Sequence, residues 1–83
     1  MKKSKKNWGE KVYIEWIDAI EKPGWKSTRK ATEFDDETLC FTNAFYIGED
    51  KIFIKTAHTI GKSDKNDVTG VMWIPKKTIT KIK

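Results

Sequence analysis

From Lys11 to Ile20 the chain alternates, with Val12, Ile14 and Trp16 on one side of a two-residue repeat and Tyr13, Glu15 and Ile17 on the other. That period predicts a half-buried strand. The density of β-branched and aromatic residues favours it over the helix that Trp16, Ile17 and Ile20 would also suit. Trp16 is expected in the core. Pro23-Gly24 then marks a turn, and the polar run Lys26 to Thr32 reads as a loop or irregular edge strand. Glu33 to Glu37, with Asp35 and Asp36, is an acidic cluster: a solvated loop, or alternatively a patch for a basic partner.

Thr38 to Ile47 predicts a second strand, with Leu39, Phe41, Phe45 and Ile47 on one side and Cys40, Ala44 and Tyr46 on the other. Asn43 interrupts the apolar side and is expected to mark a bend or bulge. Gly48-Glu49-Asp50 reads as a hairpin turn, and Lys51 to Thr59 as the returning strand, with Ile52 and Ile54 opposed to Phe53 and Ala57. These two strands are expected to pair. Ile60 to Gly70 reads as a long polar loop.

In Gly70 to Ile82 the same alternation returns, Val71 and Trp73 against Met72 and Ile74, until Pro75 stops it. Proline has no N–H for a ladder, so the chain turns there, and Ile79 and Ile82 follow as a closing strand. Val71, Trp73, Ile74, Ile79 and Ile82 are assigned to the core, and Pro75 to the corner. Four to five short strands and no helix place the chain in the mainly β class. The expected fold is a small antiparallel barrel of the SH3-like or Sm-like type.

Length narrows this to one domain, since 83 residues support only a small core. Residues 1–9 read as a basic flexible arm and 10–83 as the barrel. The ten aromatic residues are expected to supply most of the core. Trp8 is expected to pack over an open end of the barrel, the alternative being an exposed stacking residue. A single cysteine, Cys40, excludes an intrachain disulfide. No apolar run is long enough for a secretory signal or a membrane span, so the expectation is a cytoplasmic protein with no membrane partner.

Charge separates the ends from the middle. The net charge is +5, and the lysines concentrate in Lys2, Lys3, Lys5, Lys6 and Lys11 at one end and Lys76, Lys77, Lys81 and Lys83 at the other, leaving the middle mildly acidic. If first and last strands lie side by side, the two basic ends merge into one zone.

Candidate chemistry is sparse. His58 has no Cys or carboxylate at ligand spacing, and Cys40 sits in an apolar strand that does not activate a thiol. Gly61-Lys62-Ser63 lacks the upstream glycine of a phosphate loop, and Asp35, Asp36, Asp64 and Asp67 lie in polar sequence that does not raise a carboxyl pKa. No enzyme, metal or cofactor is expected. Binding remains, with Lys2, Lys3, Lys5, Lys6, Trp8, Trp25, Arg29, Lys76 and Lys77 as candidate contacts. A protein partner is favoured, because edge strands and the acidic loop offer more contact surface than the limited cationic patch, while the aromatics are needed inside, Arg29 is the one arginine and the body is net negative. Nucleic acid is the alternative. A homo-oligomer enclosing a small ligand is the second.

Ile14-Glu15-Trp16-Ile17-Asp18-Ala19, Gly24-Trp25 and Ile74-Pro75-Lys76 with Ile79 and Ile82 together resemble a pattern found in small uncharacterised bacteriophage proteins. The resemblance spans most of residues 12 to 82. It implies an SH3-like barrel in an accessory protein of the infected cytoplasm that acts by binding: some such proteins engage and inhibit a host or phage protein, sequestering a host factor or blocking a defence system, and others bind nucleic acid. The amino-terminal arm is more basic than the pattern requires.

Overall fold

A computed structural model describes residues 4–63 and 66–83. Lys2 and Lys3, and Asp64 of the polar loop, lie outside the described residues. The fold is mainly β. Strand β1 (Lys11–Ile17) leads through a long excursion holding helix α1 (Thr28–Ala31) and a 3-10 turn (Asp36–Thr38) into β2 (Leu39–Glu49) and β3 (Phe53–Ala57). A small hairpin of β4 (Thr59–Ile60) and β5 (Val68–Thr69) precedes β6 (Met72–Pro75), a 3-10 turn (Lys76–Thr78) and β7 (Ile79–Ile82). The main sheet is five-stranded, in the order β6-β3-β2-β1-β7, and every pairing is antiparallel.

Local chemistry explains the boundaries. Ser27 caps α1 by accepting from the Lys30 N–H at 3.2 Å, and Asp35 caps the following 3-10 turn through the Glu37 N–H at 2.9 Å. The expected pairing of β2 with β3 is present, but Gly48 and Glu49 belong to β2 and the turn lies at Asp50 to Ile52. There the Asp50 carboxylate accepts from both the Ile52 and Phe53 N–H groups at 2.8 Å, a turn set by an aspartate rather than by glycine. The polar loop after β3 contains the β4-β5 hairpin. Gly70 is required at its exit: φ is +67°, and a Cβ there would lie 2.5 Å from that of His58.

One layer of inward side chains makes the core: Val12, Ile14, Tyr46, Ile54 and Ile74, flanked by Trp16, Ile79 and Ile82. Register explains the choice. Val12 faces Ala44, Ile14 faces Thr42 and Trp16 faces Cys40, so the large residues of β1 meet small ones on β2. The more apolar side of β2 therefore points outward, with Leu39 and Phe41 exposed.

Three expectations are corrected. Trp16 is half-buried at the edge of the core, its indole N–H donating to the Thr42 hydroxyl at 3.0 Å. Val71 and Trp73 are exposed, because on β6 it is Ile74 that faces the core, opposite Ile54, and even Met72 on the same side is exposed at the start of the strand. The bulge in β2 lies between Tyr46 and Gly48 rather than at Asn43. It has a purpose: one extra residue turns Glu49, not Gly48, to the position opposite Ile54, and Gly48 takes a φ of 151° that side chains rarely adopt.

Candidate binding face

Of the ten aromatic side chains only Tyr46 is buried. The outward positions of the sheet take many of the others. On β1 and β2, Tyr13 sits beside Phe41 with ring centroids 5.9 Å apart, and Phe45 lies on the same side of β2. On β3 and β6, Phe53 and Trp73 meet at 5.5 Å. Trp73 is 53% exposed and Phe41 69% exposed.

Lysines are interleaved with these rings by register. Lys11 stands opposite Phe45, Lys55 opposite Trp73 and Lys81 opposite Glu15, and Lys83 exchanges backbone hydrogen bonds with Tyr13. The Lys55 ammonium lies 4.2 Å from the centre of the Trp73 ring, and that of Lys83 5.3 Å from the Tyr13 ring. Both are cation–π contacts in which the cation covers a ring face. Glu15 is the one carboxylate on the outward positions of β1. It accepts the Tyr13 hydroxyl at 2.9 Å, which pushes the phenol pKa up. Tyr13 thus stays neutral well above physiological pH.

A second cluster is buried. Glu49, aimed inward by the bulge, pairs with Lys76 at 2.6 Å, their side chains 3% and 8% exposed. One carboxylate oxygen also accepts the Tyr46 hydroxyl at 2.9 Å, the Ser4 hydroxyl at 2.6 Å and the Ser4 N–H at 3.1 Å. Burial pushes the Glu49 pKa up, but the bonds from Lys76, Ser4 and Tyr46 and the charge of Lys76 outweigh it, so the carboxyl lies below its usual range.

The residues proposed from sequence are therefore scattered. Lys76 is corrected from a free contact to half of a buried ion pair, because Pro75 turns it inward onto Glu49. Its neighbour Lys77 is exposed. Trp25 is fully exposed, at 104%, and Arg29 lies in α1, both in the excursion rather than on the sheet. Trp8 is 49% exposed, so it does not seal an end of the core. Lys5 is exposed, and Lys6 donates to the Lys11 carbonyl at 3.2 Å.

The face residues Tyr13, Phe41, Phe45, Phe53, Trp73, Lys11, Lys55, Lys81 and Lys83 are not among the sequence candidates. The signal that marks them is parity. Lys11 and Tyr13 alternate against Val12 and Ile14, and Lys55 and Phe53 against Ile54 and Thr56. Among the described residues no group of three or more His, Cys, Asp or Glu side chains is placed to hold a metal, and no helix is long and apolar enough to cross a membrane. No family model, curated protein or solved structure matches the chain.

Proposed function

We propose that this protein is a non-catalytic module that binds single-stranded nucleic acid on the outward face of an SH3-like barrel. The barrel reading rests on β6 and β7, which are the two edges of the sheet yet are joined by a single 3-10 turn. The observation that carries the function is the alternation of lysines with aromatic rings on one face of the sheet, Phe41 and Trp73 exposed and Tyr13, Phe45 and Phe53 half-buried. Unpaired bases stack on aromatic rings while neighbouring cations take the phosphates, and each stack is worth about 1–3 kcal/mol.

The sequence favours a protein partner for its edge strands and acidic loop, and counts against nucleic acid that the aromatics are needed for the core; with Tyr46 the one buried aromatic, that objection weakens. Cores of protein interfaces are enriched in aromatics but depleted in lysine, and this face has both. The near absence of arginine fits stacking plus phosphate contact better than base-edge readout, in which arginine is the commonest reader. The phage resemblance puts such an activity in an infected cytoplasm, where single strands arise in replication and transcription.

The test is a fluorescence-anisotropy titration with labelled oligothymidine, oligouridine and a blunt DNA duplex, repeated across salt. Expected is tighter binding of the single strands, weakening with salt by roughly 0.7 log units per phosphate per decade. Trp73→Ala and Phe41→Ala should each weaken it about 5- to 150-fold, the equivalent of one missing stack. No retention at low salt overturns the reading. So does binding that both aromatic variants leave untouched. A protein ligand captured on the same face, with no oligonucleotide bound, would replace nucleic acid by the protein alternative.

A further inference from the structure

The amino-terminal segment offers a second patch of cations. Lys5 and Lys6 share a depression of about 290 Å³ with Ser4, Glu10, Ile82 and Lys83. Two sets of hydrogen bonds hold it in place. Gly9 donates to the Tyr46 carbonyl at 2.8 Å and Tyr46 to that of Glu10 at 2.8 Å, which docks the segment against β2. Further back, Ser4 is fixed to Glu49 through its N–H at 3.1 Å and its hydroxyl at 2.6 Å.

The charges around the depression are unequal. Among the described residues Glu10 is its one acidic side chain, and it accepts the Asn7 N–H at 2.9 Å. Lys6 donates to a carbonyl, so its charge is not neutralised by that bond. Glu49 is matched by Lys76 inside the fold and subtracts little from the field outside. Lys83 connects the depression to the aromatic face, because it lines the one and covers Tyr13 on the other.

We infer that this depression is a phosphate site continuous with the sheet face, and that Ser4 and Glu49 are positioning residues holding Lys5 and Lys6 at it. The inference rests on the nucleic-acid reading above. A strand stacked on Tyr13 and Phe41 continues past Lys83 and places a backbone phosphate between Lys5 and Lys6. The geometry converts a basic arm into a built part of the site.

The experiment uses labelled oligouridine and the full chain. Lys5→Ala/Lys6→Ala should make the salt slope shallower by about 0.7 for each phosphate left without its lysine, while the part of the tryptophan quenching at saturation that Trp73→Ala removes stays at its wild-type level. Ser4→Ala should shift the slope in the same direction with both lysines present, an effect that unfolding alone does not produce if the circular dichroism is unchanged. Glu49→Gln should do likewise; if it melts below the assay temperature, Ser4→Ala carries the comparison. A wild-type slope in the double-lysine variant overturns the site, and a wild-type slope in Ser4→Ala overturns the positioning role. A wild-type protein that binds no oligonucleotide removes the face reading and this one together, whereas binding with unchanged slopes removes this one alone.

Discussion

The two faces of one sheet use similar residues to opposite ends. Inward, Val12, Ile14, Ile54 and Ile74 meet one another and are almost completely withdrawn from water. Outward, on the same strands, Tyr13, Phe53 and Trp73 contact rings and lysine ammonium groups, Tyr13 and Phe53 half-buried and Trp73 exposed. The buried side chains of these strands are mostly branched aliphatics, with Tyr46 the one buried aromatic, although Ile17 and Leu39 stay exposed. Aliphatic side chains pack densely in a thin layer, whereas a ring half-exposed on a strand retains a free face. On the proposed function, stability and recognition are divided between the faces, and a substitution on either should affect mainly one of them.

The largest effect is expected at the buried ion pair. Lys76→Ala leaves the Glu49 carboxylate without its cation and should cost about 3–5 kcal/mol in urea unfolding. Replacing both by apolar residues, Glu49→Leu with Lys76→Met, should recover much of that loss. A double variant no better than the single would mean that Ser4 and Tyr46 depend on the charge itself. Next is the inner face: Ile54→Ala opens a cavity in a core of very few residues and should cost roughly 2–5 kcal/mol. On the outer face, Phe41→Ala and Trp73→Ala should cost only about 0.2–1 kcal/mol each, the value of a cross-strand pair. Urea midpoints for these two as low as that of Ile54→Ala would break the division between faces.

Acid gives the smallest and most specific effect. The Glu49 pKa is held below its unfolded value, so the carboxylate stabilises the fold fully above the ordinary carboxylate range. That contribution is lost as pH falls through the folded value. Stability measured from neutral pH downward should therefore decline in the acid range, and Glu49→Gln should flatten that part of the curve. An unchanged profile would show that other carboxylates dominate acid unfolding. Asp50, whose pKa is also lowered, by the Phe53 and Ile52 N–H groups, is the first to examine.

Much of the fold is legible in the sequence because period two is a strong signal where only one face is apolar. Val12 and Ile14 stand out as inward-facing positions on that basis, and the β2-β3 pairing follows from two apolar runs separated by a turn. The signal fails where both faces are apolar. On β2 the choice between Phe41 and Thr42 is made by Ile14, which lies across the ladder and leaves room only for the smaller side chain. The face proposed to bind is hidden for the same reason, since aromatics assigned to the core are not available as surface. Lys76 cannot be placed from its neighbours, because its partner becomes inward-facing only through the bulge at Gly48.

The pairing of β1 with β7 also governs how the fold is reached. The Thr80 hydroxyl donates to the Glu15 carbonyl across 65 residues of chain, and Ile14 pairs with Ile82 in the same ladder. Closing a loop of that length costs entropy before any of its packing forms, so domains ruled by such pairings fold in roughly milliseconds to seconds rather than microseconds. The β2-β3 hairpin, closed by Asp50 alone, can form early and locally. Completion of the core waits for Ile79 and Ile82 to meet β1, and until then the apolar inner face lies open to solvent.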